Sequence, residues 1–153
     1  MKYNAIGKNF AVAAAAALAL ALAPMAKADN KGCSNASIKG TFAHMANGFI
    51  TAPPAMAGPE AGVGTDTFDG NGRATGAATL SLNGNIVPLT TTGTYKVNPD
   101  CTGTYTISAL GGTIHLVLVI ADNGNEIQAM CVDAGIVQTH TFRRQYPAGD
   151  WRE

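Results

Sequence analysis

Residues 89–109 read LTTTGTYKVNPDCTGTYTISA, and this segment decides the fold class. Apolar and polar side chains alternate with a period of two on both sides of residues 98–101, which is the pattern of an antiparallel hairpin. Tyr95 and Tyr105 fall on the same face of the two predicted strands, and threonines fill the opposite face. The segment therefore predicts two neighbouring strands that share a buried face carrying both tyrosines.

Turn signals rich in Asn, Asp and Gly recur on both sides of this hairpin, beginning with Asn47-Gly48, and only residues 49–59 form a longer predicted loop. Short strands joined by sequential hairpins indicate an all-β, eight-stranded antiparallel up-and-down β-barrel, in which closure removes exposed strand edges. A β-sandwich is the alternative, but its Greek-key connections fit the short sequential turns less well. The strands are predicted at residues 36–46, 60–69, 73–83, 86–98, 102–110, 113–122, 125–133 and 136–145.

The N-terminal segment has the three parts of a secretory signal peptide. Residues 1–8 are positively charged, residues 10–24 form an apolar run, and Ala26-Lys27-Ala28 supplies the small residues that signal peptidase requires. An apolar run of about 15 residues is shorter than the ~20 that span a bilayer. We therefore expect residues 1–28 to be a signal peptide and residues 29–153 to be a single β-barrel domain, secreted or periplasmic and without a membrane anchor.

Composition excludes several classes of protein. The chain of 153 residues is 46% hydrophobic and only 13% charged, unlike a disordered chain. Ten Lys and Arg balance ten Asp and Glu, and removal of Lys2, Lys8 and Lys27 with the signal peptide leaves seven cations against ten anions, a net charge of −3. Nucleic acids and anionic lipid surfaces bind clustered cations, so we expect neither as a partner.

Three cysteines, Cys33, Cys101 and Cys131, remain after cleavage and face an oxidising compartment. Cys33 precedes the first predicted strand and Cys101 ends a turn, whereas Cys131 lies within a strand. We expect a disulfide between Cys33 and Cys101, with Cys131 as a buried small apolar side chain. A bridge that includes Cys131 is the alternative and would require a different register for residues 125–133.

One predicted strand is apolar on both faces. Residues 113–121 read TIHLVLVIA, whereas a strand of a monomeric barrel normally leaves one face in water. This pattern predicts that another subunit or a terminal segment covers the outer face, which makes a homo-oligomer one expected assembly. The alternative is that the loop at residues 49–59 or the C-terminal Trp151 packs over it.

Residues 93–104, GTYKVNPDCTGT, resemble the G-x-Y-x-V-x-x-D-C-x-G-x hairpin of bacterial secreted proteins with an allene-oxide-cyclase-like (dirigent-like) β-barrel. Residues 39–42, KGTF, and 66–72, DTFDGNG, resemble the first strand and the first hairpin of the same group. Related plant barrels guide cyclisation or radical coupling by shaping a hydrophobic cavity. The resemblance therefore implies a barrel with an interior cavity and an activity of the isomerase or cyclase type.

The sequence offers few motifs that carry chemistry by themselves. Residues 69–73, DGNGR, begin like a calcium loop, but Arg73 stands where a ligand is needed, so a tight hairpin is expected. The histidines His44, His115 and His140 lie on three separate predicted strands without metal-pair spacing. Nucleophile elbows, zinc-protease motifs and nucleotide-binding loops do not occur in the sequence. We expect no metal and no cofactor, and assign no catalytic residue.

Four polar side chains are predicted to face the barrel interior. His44 lies two residues after Phe42, and Asp66 lies two residues before Phe68, so each shares a strand face with an aromatic residue that prefers burial. Tyr95 and Tyr105 join them from the neighbouring hairpin. Titratable groups in an apolar cavity have shifted pKa values and can exchange protons. The predicted cavity and ligand-binding residues are therefore His44, Asp66, Tyr95 and Tyr105, unless these groups only satisfy one another in a filled core.

Two functions from different classes follow. In the first, the exported barrel binds one small apolar molecule in its interior. In the second, it is a cofactor-free isomerase or cyclase, in which the cavity folds the substrate and His44, Asp66 or a tyrosine moves a proton. A structural or assembly role is the remaining alternative. An interior packed with side chains would exclude the first two, and an interior with paired polar groups would keep the enzyme in consideration.

Overall fold

The computed structural model describes residues 32–145, so the predicted signal peptide and Trp151 lie outside the described residues. Eight antiparallel strands follow one another in sequence order and close into a barrel, because β1 pairs with both β2 and β8. This confirms the predicted up-and-down barrel over the sandwich. The strands are β1 Gly40–Ile50, β2 Gly58–Phe68, β3 Arg73–Leu82, β4 Asn85–Val97, β5 Thr102–Ala109, β6 Gly112–Ala121, β7 Glu126–Cys131 and β8 Ile136–Arg144.

Short helical segments of the 3-10 type supplement the barrel at Asn35–Ile38, Pro54–Met56 and Asp122–Gly124. None of the helices in the described residues is long and apolar enough to cross a membrane.

The alternation predicted for the hairpin of β4 and β5 is confirmed. Tyr95 and Tyr105 are paired across the two strands, and both are buried on the interior face. Thr94 and Thr104, which alternate with them, are exposed on the outer face. The period of two in the sequence therefore sets which side chains form the core.

The first strand differs from the prediction at both of its ends. Residues 36–38, predicted as strand, belong to the 3-10 turn Asn35–Ile38, and β1 continues to Ile50. The predicted turn at Asn47-Gly48 is wrong, because both residues lie inside β1 and pair with β2 and β8. Gly48 is required there for a different reason: a Cβ atom would overlap the carbonyl oxygen of Val137 on the adjacent strand. The predicted loop at residues 49–59 is correspondingly reduced to residues 51–57.

One end of the barrel, which we call the base, is closed by the N-terminal turn Asn35–Ile38. Ile38 is fully buried against the core, and the side-chain oxygen of Asn35 accepts a hydrogen bond from the backbone N–H of Val97 at 2.8 Å. The disulfide between Cys33 and Cys101 fastens the turn to the hairpin of β4 and β5, which confirms the predicted pairing. Cys131 is free and buried.

Aromatic rings fill the interior above the base. Phe68 lies at their centre, with ring centroids 5.5 Å from Phe42, 5.1 Å from Tyr95, 5.3 Å from Tyr105 and 6.0 Å from Phe142. Edge-to-face pairs of this kind stabilise a core beyond the area that they bury. The base half of the barrel is therefore a packed apolar core.

The opposite end, which we call the mouth, is less closed. Inward-facing side chains of β3, β4 and β6 are half-buried there, whereas those of the same strands near the base are buried. Residues 85–91 of β4 pair with β3 and not with β5, so this hairpin stands above its neighbour. Solvent therefore reaches the interior side of these strands at the mouth. The half-buried apolar side chains there are Leu80, Leu82, Val87, Leu89 and Ile114.

The outer face of β6 is apolar and exposed. Val117 is 42% exposed and Val119 is 56% exposed, so no described residue covers this face, the connection at residues 51–57 included. A second subunit or a terminal segment as its cover stays a prediction.

Candidate functional site

Asp66 is the centre of a buried polar cluster in the middle of the barrel. Its Oδ2 lies 2.9 Å from Nδ1 of His44 on β1, and its Oδ1 accepts a hydrogen bond from the Tyr105 hydroxyl at 3.0 Å. Three of the four predicted site residues thus meet, from three different strands. Asp66 is 3% exposed, and these two donors replace the water that a buried carboxylate loses.

Gly76 on β3 makes room for this cluster. It pairs with Asp66 on one side and with Thr91 on the other. A Cβ atom at this position would come within 2.8 Å of the Asp66 Oδ1 and 2.6 Å of the Thr91 Oγ1. The carboxylate can therefore lie against β3 only because residue 76 has no side chain.

A second histidine extends the cluster along the barrel wall. Nε2 of His44 lies 2.8 Å from Nδ1 of His140 on β8, and the two rings are stacked with centroids 5.1 Å apart. The ring of Phe142, also on β8, stacks on the ring of His44, with centroids 4.3 Å apart. Hydrogen bonds therefore link Tyr105, Asp66, His44 and His140 into one chain that crosses the interior.

The hydrogen bonds of this chain have a direction when both imidazoles are neutral. Asp66 can only accept, so the Tyr105 hydroxyl and Nδ1–H of His44 both donate to it. Nε2 of His44 then accepts a hydrogen bond from the N–H at Nδ1 of His140. It follows that Nε2 of His140 carries a free lone pair.

Burial shifts the proton affinities in this chain. Desolvation, and secondarily the neighbouring His44, lower the pKa of His140 to about 4, so its ring is neutral at physiological pH. Desolvation and the adjacent Asp66 carboxylate raise the pKa of Tyr105, so its hydroxyl keeps its proton. The chain therefore combines a neutral base with a protonated phenol inside a low-dielectric core.

Three buried polar atoms of the described residues have no hydrogen-bond partner: Nε2 of His140, Oε1 of Gln138 and Oγ1 of Thr91. His140 and Gln138 are two residues apart on β8, so both side chains project from the same face of that strand. Gln138 also lies beside the buried carboxyl of Glu60 on β2. Desolvation raises the pKa of Glu60, and the neighbouring Gln138 amide together with His44 opposes the rise.

Tyr95 does not join the cluster. Its hydroxyl accepts a hydrogen bond from the backbone N–H of Gly70 at 2.8 Å and donates to the carbonyl of Asn35 at 3.3 Å. The residue therefore ties the turn between β2 and β3 to the N-terminal turn at the base. Burial raises its pKa, which keeps the hydroxyl protonated for this role.

Two further sequence features lie away from the interior. The Asp69 carboxylate accepts hydrogen bonds from the backbone N–H groups of Asn71 and Arg73, which confirms the tight hairpin. On the outer surface of β6, Nδ1 of His115 lies 2.8 Å from Oδ1 of Asp133. In the described part of the chain, no group of three or more His, Cys, Asp or Glu side chains is placed to hold a metal ion.

The outer surface also carries a shallow depression over β2, β3 and β4, lined by residues such as Val63, Thr79 and Pro88. No titratable side chain lines it, so it offers no comparable chemistry.

The prediction from sequence missed His140, Gln138, Glu60 and Thr91. The signal was present for the pair on β8, because Gln138 and His140 alternate with Phe142 in the same way that His44 alternates with Phe42. The pairing of His44 with His140 depends on the closure of β1 against β8, which no local pattern encodes.

No family model, curated protein or solved structure matches this chain.

Proposed function

We propose that the protein is an exported β-barrel that binds one small, mainly apolar molecule in its interior, with the polar group of that molecule against His140 and Gln138. The unpartnered Nε2 of His140 and Oε1 of Gln138 carry this proposal. A buried polar atom without a partner costs about 1–3 kcal/mol. Two of them on one strand face, beside a complete hydrogen-bond chain, favour a site that a ligand satisfies.

The mouth supports the apolar part of the proposal. Leu80, Val87, Leu89 and Ile114 face inward and are half-buried, so a ligand that covers them removes apolar surface from water. An eight-stranded barrel has room for one small ligand at most. Export is supported by the signal-peptide pattern and by the disulfide, which forms in oxidising compartments.

A fluorescent apolar probe tests this function on the mature chain, residues 29–153. We expect one probe per barrel, measured by fluorescence titration. The Leu89→Gln substitution at the mouth should weaken binding about tenfold, because it replaces apolar lining with a polar amide. The adjacent Thr90→Gln substitution, on the outer face, is the matched control and should change the affinity less than about twofold. Absence of probe binding, or equal effects of both substitutions, would favour a structural or assembly role instead.

A second candidate is the cofactor-free isomerase or cyclase, which the resemblance to allene-oxide-cyclase-like barrels also implies. It is favoured by the chain Asp66, His44 and His140, which ends on a neutral imidazole nitrogen, with the Tyr105 hydroxyl protonated nearby. Such a nitrogen can accept a proton from an acidic C–H group and return it elsewhere on the same molecule.

Isomerisation of a β,γ-unsaturated cyclic ketone to its conjugated isomer tests the enzyme directly, by ultraviolet absorbance. The wild-type protein should accelerate this reaction, and His140→Gln should abolish the acceleration because an amide is not a base at neutral pH. Thr139→Gln, on the outer face of the same strand, is the control and should keep the wild-type rate. A wild-type rate equal to that of the control buffer would rule out this activity for that substrate class.

A further inference from the structure

We propose that the interior site selects a ligand whose polar group is a hydroxyl that donates a hydrogen bond, and that it rejects a carboxylate. This inference rests on the proposed binding function and specifies the chemistry of its ligand. It follows from which interior groups are free and from the charges around them.

Both free groups on β8 are acceptors. While His44 is neutral, Nδ1–H of His140 donates to it, and Nε2 of His140 presents a lone pair to the interior. Oε1 of Gln138 is also buried without a partner, and an amide oxygen can only accept a hydrogen bond. Side chains two residues apart on one strand face are separated by roughly 7 Å. A compact ligand can therefore place a hydroxyl against one of these acceptors and keep its apolar body towards the mouth.

The interior charges point in the same direction. Two buried carboxyl groups, Glu60 and Asp66, flank this region, and a ligand carboxylate would be desolvated next to them. Asp66 is already satisfied by His44 and Tyr105, so it does not compete for the ligand hydroxyl. The acceptors on β8 would remain without a donor if a carboxylate occupied the site.

Arg144 is the cation on the interior face of β8 that would have to neutralise a ligand carboxylate, and it is not available. Its guanidinium donates to the carbonyl oxygens of Lys39, Ser37 and Gly124 and to the side chain of Asn125, all at the base. It also lies over the ring of Phe42, 4.6 Å from the centroid. Phe142 lies between Arg144 and His140 on the same strand face. A hydroxyl is thus the polar group that this interior can satisfy.

Competition against the fluorescent probe, with compounds that share one ring, tests the selectivity. The three compounds share a cyclohexane ring and one attached carbon. That carbon carries a hydroxyl in cyclohexylmethanol, only hydrogens in methylcyclohexane, and a negative charge on its oxygens in cyclohexanecarboxylate. At about pH 8, we expect the alcohol to displace the probe at about one-tenth of the concentration that the hydrocarbon requires, and the carboxylate to be weaker than both.

The Gln138→Met variant removes one acceptor while it keeps the length of the side chain. It should still bind the probe, and the advantage of the alcohol over the hydrocarbon should fall about threefold or more. Gln128→Met, on the outer surface of β7, is the control and should keep the full advantage.

The outcomes separate this inference from the function on which it rests. If the probe binds and the carboxylate competes as well as the alcohol, the selectivity is wrong while the binding function stands. If the alcohol and the hydrocarbon compete equally, the free acceptors do not contact ligands and the selectivity is again wrong. If the probe does not bind to the wild-type protein, both proposals fail together.

Discussion

The base and the mouth of this barrel are built from the same alternating strands, yet they bury different chemistry. At the base, aromatic rings pack around Phe68, and the Tyr95 hydroxyl and the Asn35 side chain bond to backbone groups. Towards the mouth, side chains bond to other side chains, and three buried polar atoms of the described residues have no partner. The base contributes packing that stabilises the fold. The region towards the mouth holds the buried polar atoms that have no hydrogen-bond partner.

The two tyrosines of the β4–β5 hairpin show how sharp this division is. They are paired in register and both face inward. The Tyr95 hydroxyl nevertheless reaches down to the backbone of Gly70, whereas the Tyr105 hydroxyl reaches across to Asp66. Two tyrosines that are paired in register therefore contact different regions, one the base and the other the polar cluster. The path of each ring through the interior, and not the strand register, decides which group its hydroxyl meets.

The largest expected effect breaks the base. Replacement of both Cys33 and Cys101 by Ser releases a cross-link between residues 68 apart in sequence, and should lower the free energy of unfolding by about 4 kcal/mol. Denaturant unfolding measures this loss. Probe binding below the transition should be unchanged, since the disulfide lies at the closed end. A folded double variant that no longer binds the probe would show that the two regions are coupled.

The next effect concerns the buried polar cluster between the base and the mouth, and it depends on pH. Because the pKa of His140 falls to about 4 in the folded state, the unfolded chain binds a proton near pH 6.5 that the folded chain does not. The contribution of this residue to stability is therefore lost as the pH falls from about 6.5 to about 4. Relative to His140→Gln, the wild-type protein should lose about 2 kcal/mol more between pH 7 and pH 5.

Urea unfolding at both pH values provides the measurement. The Asp66 carboxylate and His44 face His140 and are present in both proteins, so the difference isolates residue 140. Parallel pH dependence in the two proteins would mean that His140 is not held neutral by burial.

A smaller pair of changes sharpens the division between the tyrosines. Tyr95→Phe should cost about 1–2 kcal/mol of stability, because the N–H of Gly70 loses its acceptor, and should leave the probe affinity within about twofold. Tyr105→Phe should weaken the affinity for the alcohol about threefold, since Asp66 loses a donor that helps to orient His44. Denaturation and probe competition on both variants give the comparison. If Tyr95→Phe changes affinity more than Tyr105→Phe does, the assignment of the two residues is reversed.

The smallest change in stability is expected on the outer face of β6. Val117→Thr with Val119→Thr keeps the β-branched shape at exposed positions, and should alter the free energy of unfolding by less than about 0.5 kcal/mol. If a second copy covers this face, sedimentation should show weaker self-association in the variant than in the wild-type protein. Identical sedimentation at matched concentrations would argue against that assembly.

The sequence predicted the barrel and three residues of the cluster because both depend on alternation within a strand. Phe42 carries His44 inward and Phe68 carries Asp66 inward, so a period of two is sufficient to place them. The pairing of Cys33 with Cys101 was predictable from a different local feature, since both cysteines lie next to turns.

Partners across strands were not predictable in the same way. His140 meets His44 only because β8 closes on β1, and the register of that pairing places Ala46 opposite His140. The separation of Tyr95 from the cluster depends on the N-terminal turn Asn35–Ile38, of which residues 36–38 were predicted as strand. Asn47-Gly48 has the composition of a turn, yet Gly48 serves the close approach of two strands. In each case a long-range contact outweighs the local signal.

The position of Arg144 in the chain has a consequence for how the barrel is closed. This last residue of β8 holds the carbonyls of Ser37 and Lys39, at the very start of the fold. The cysteines of the disulfide both emerge before β6, whereas the seam between β1 and β8 requires nearly the whole domain. Pairing of such distant strands is slow compared with hairpin formation. The seam between β1 and β8 is therefore held at the base by the side chain of Arg144 as well as by the strand pairing itself, so the last strand of the fold is fixed to its first turn.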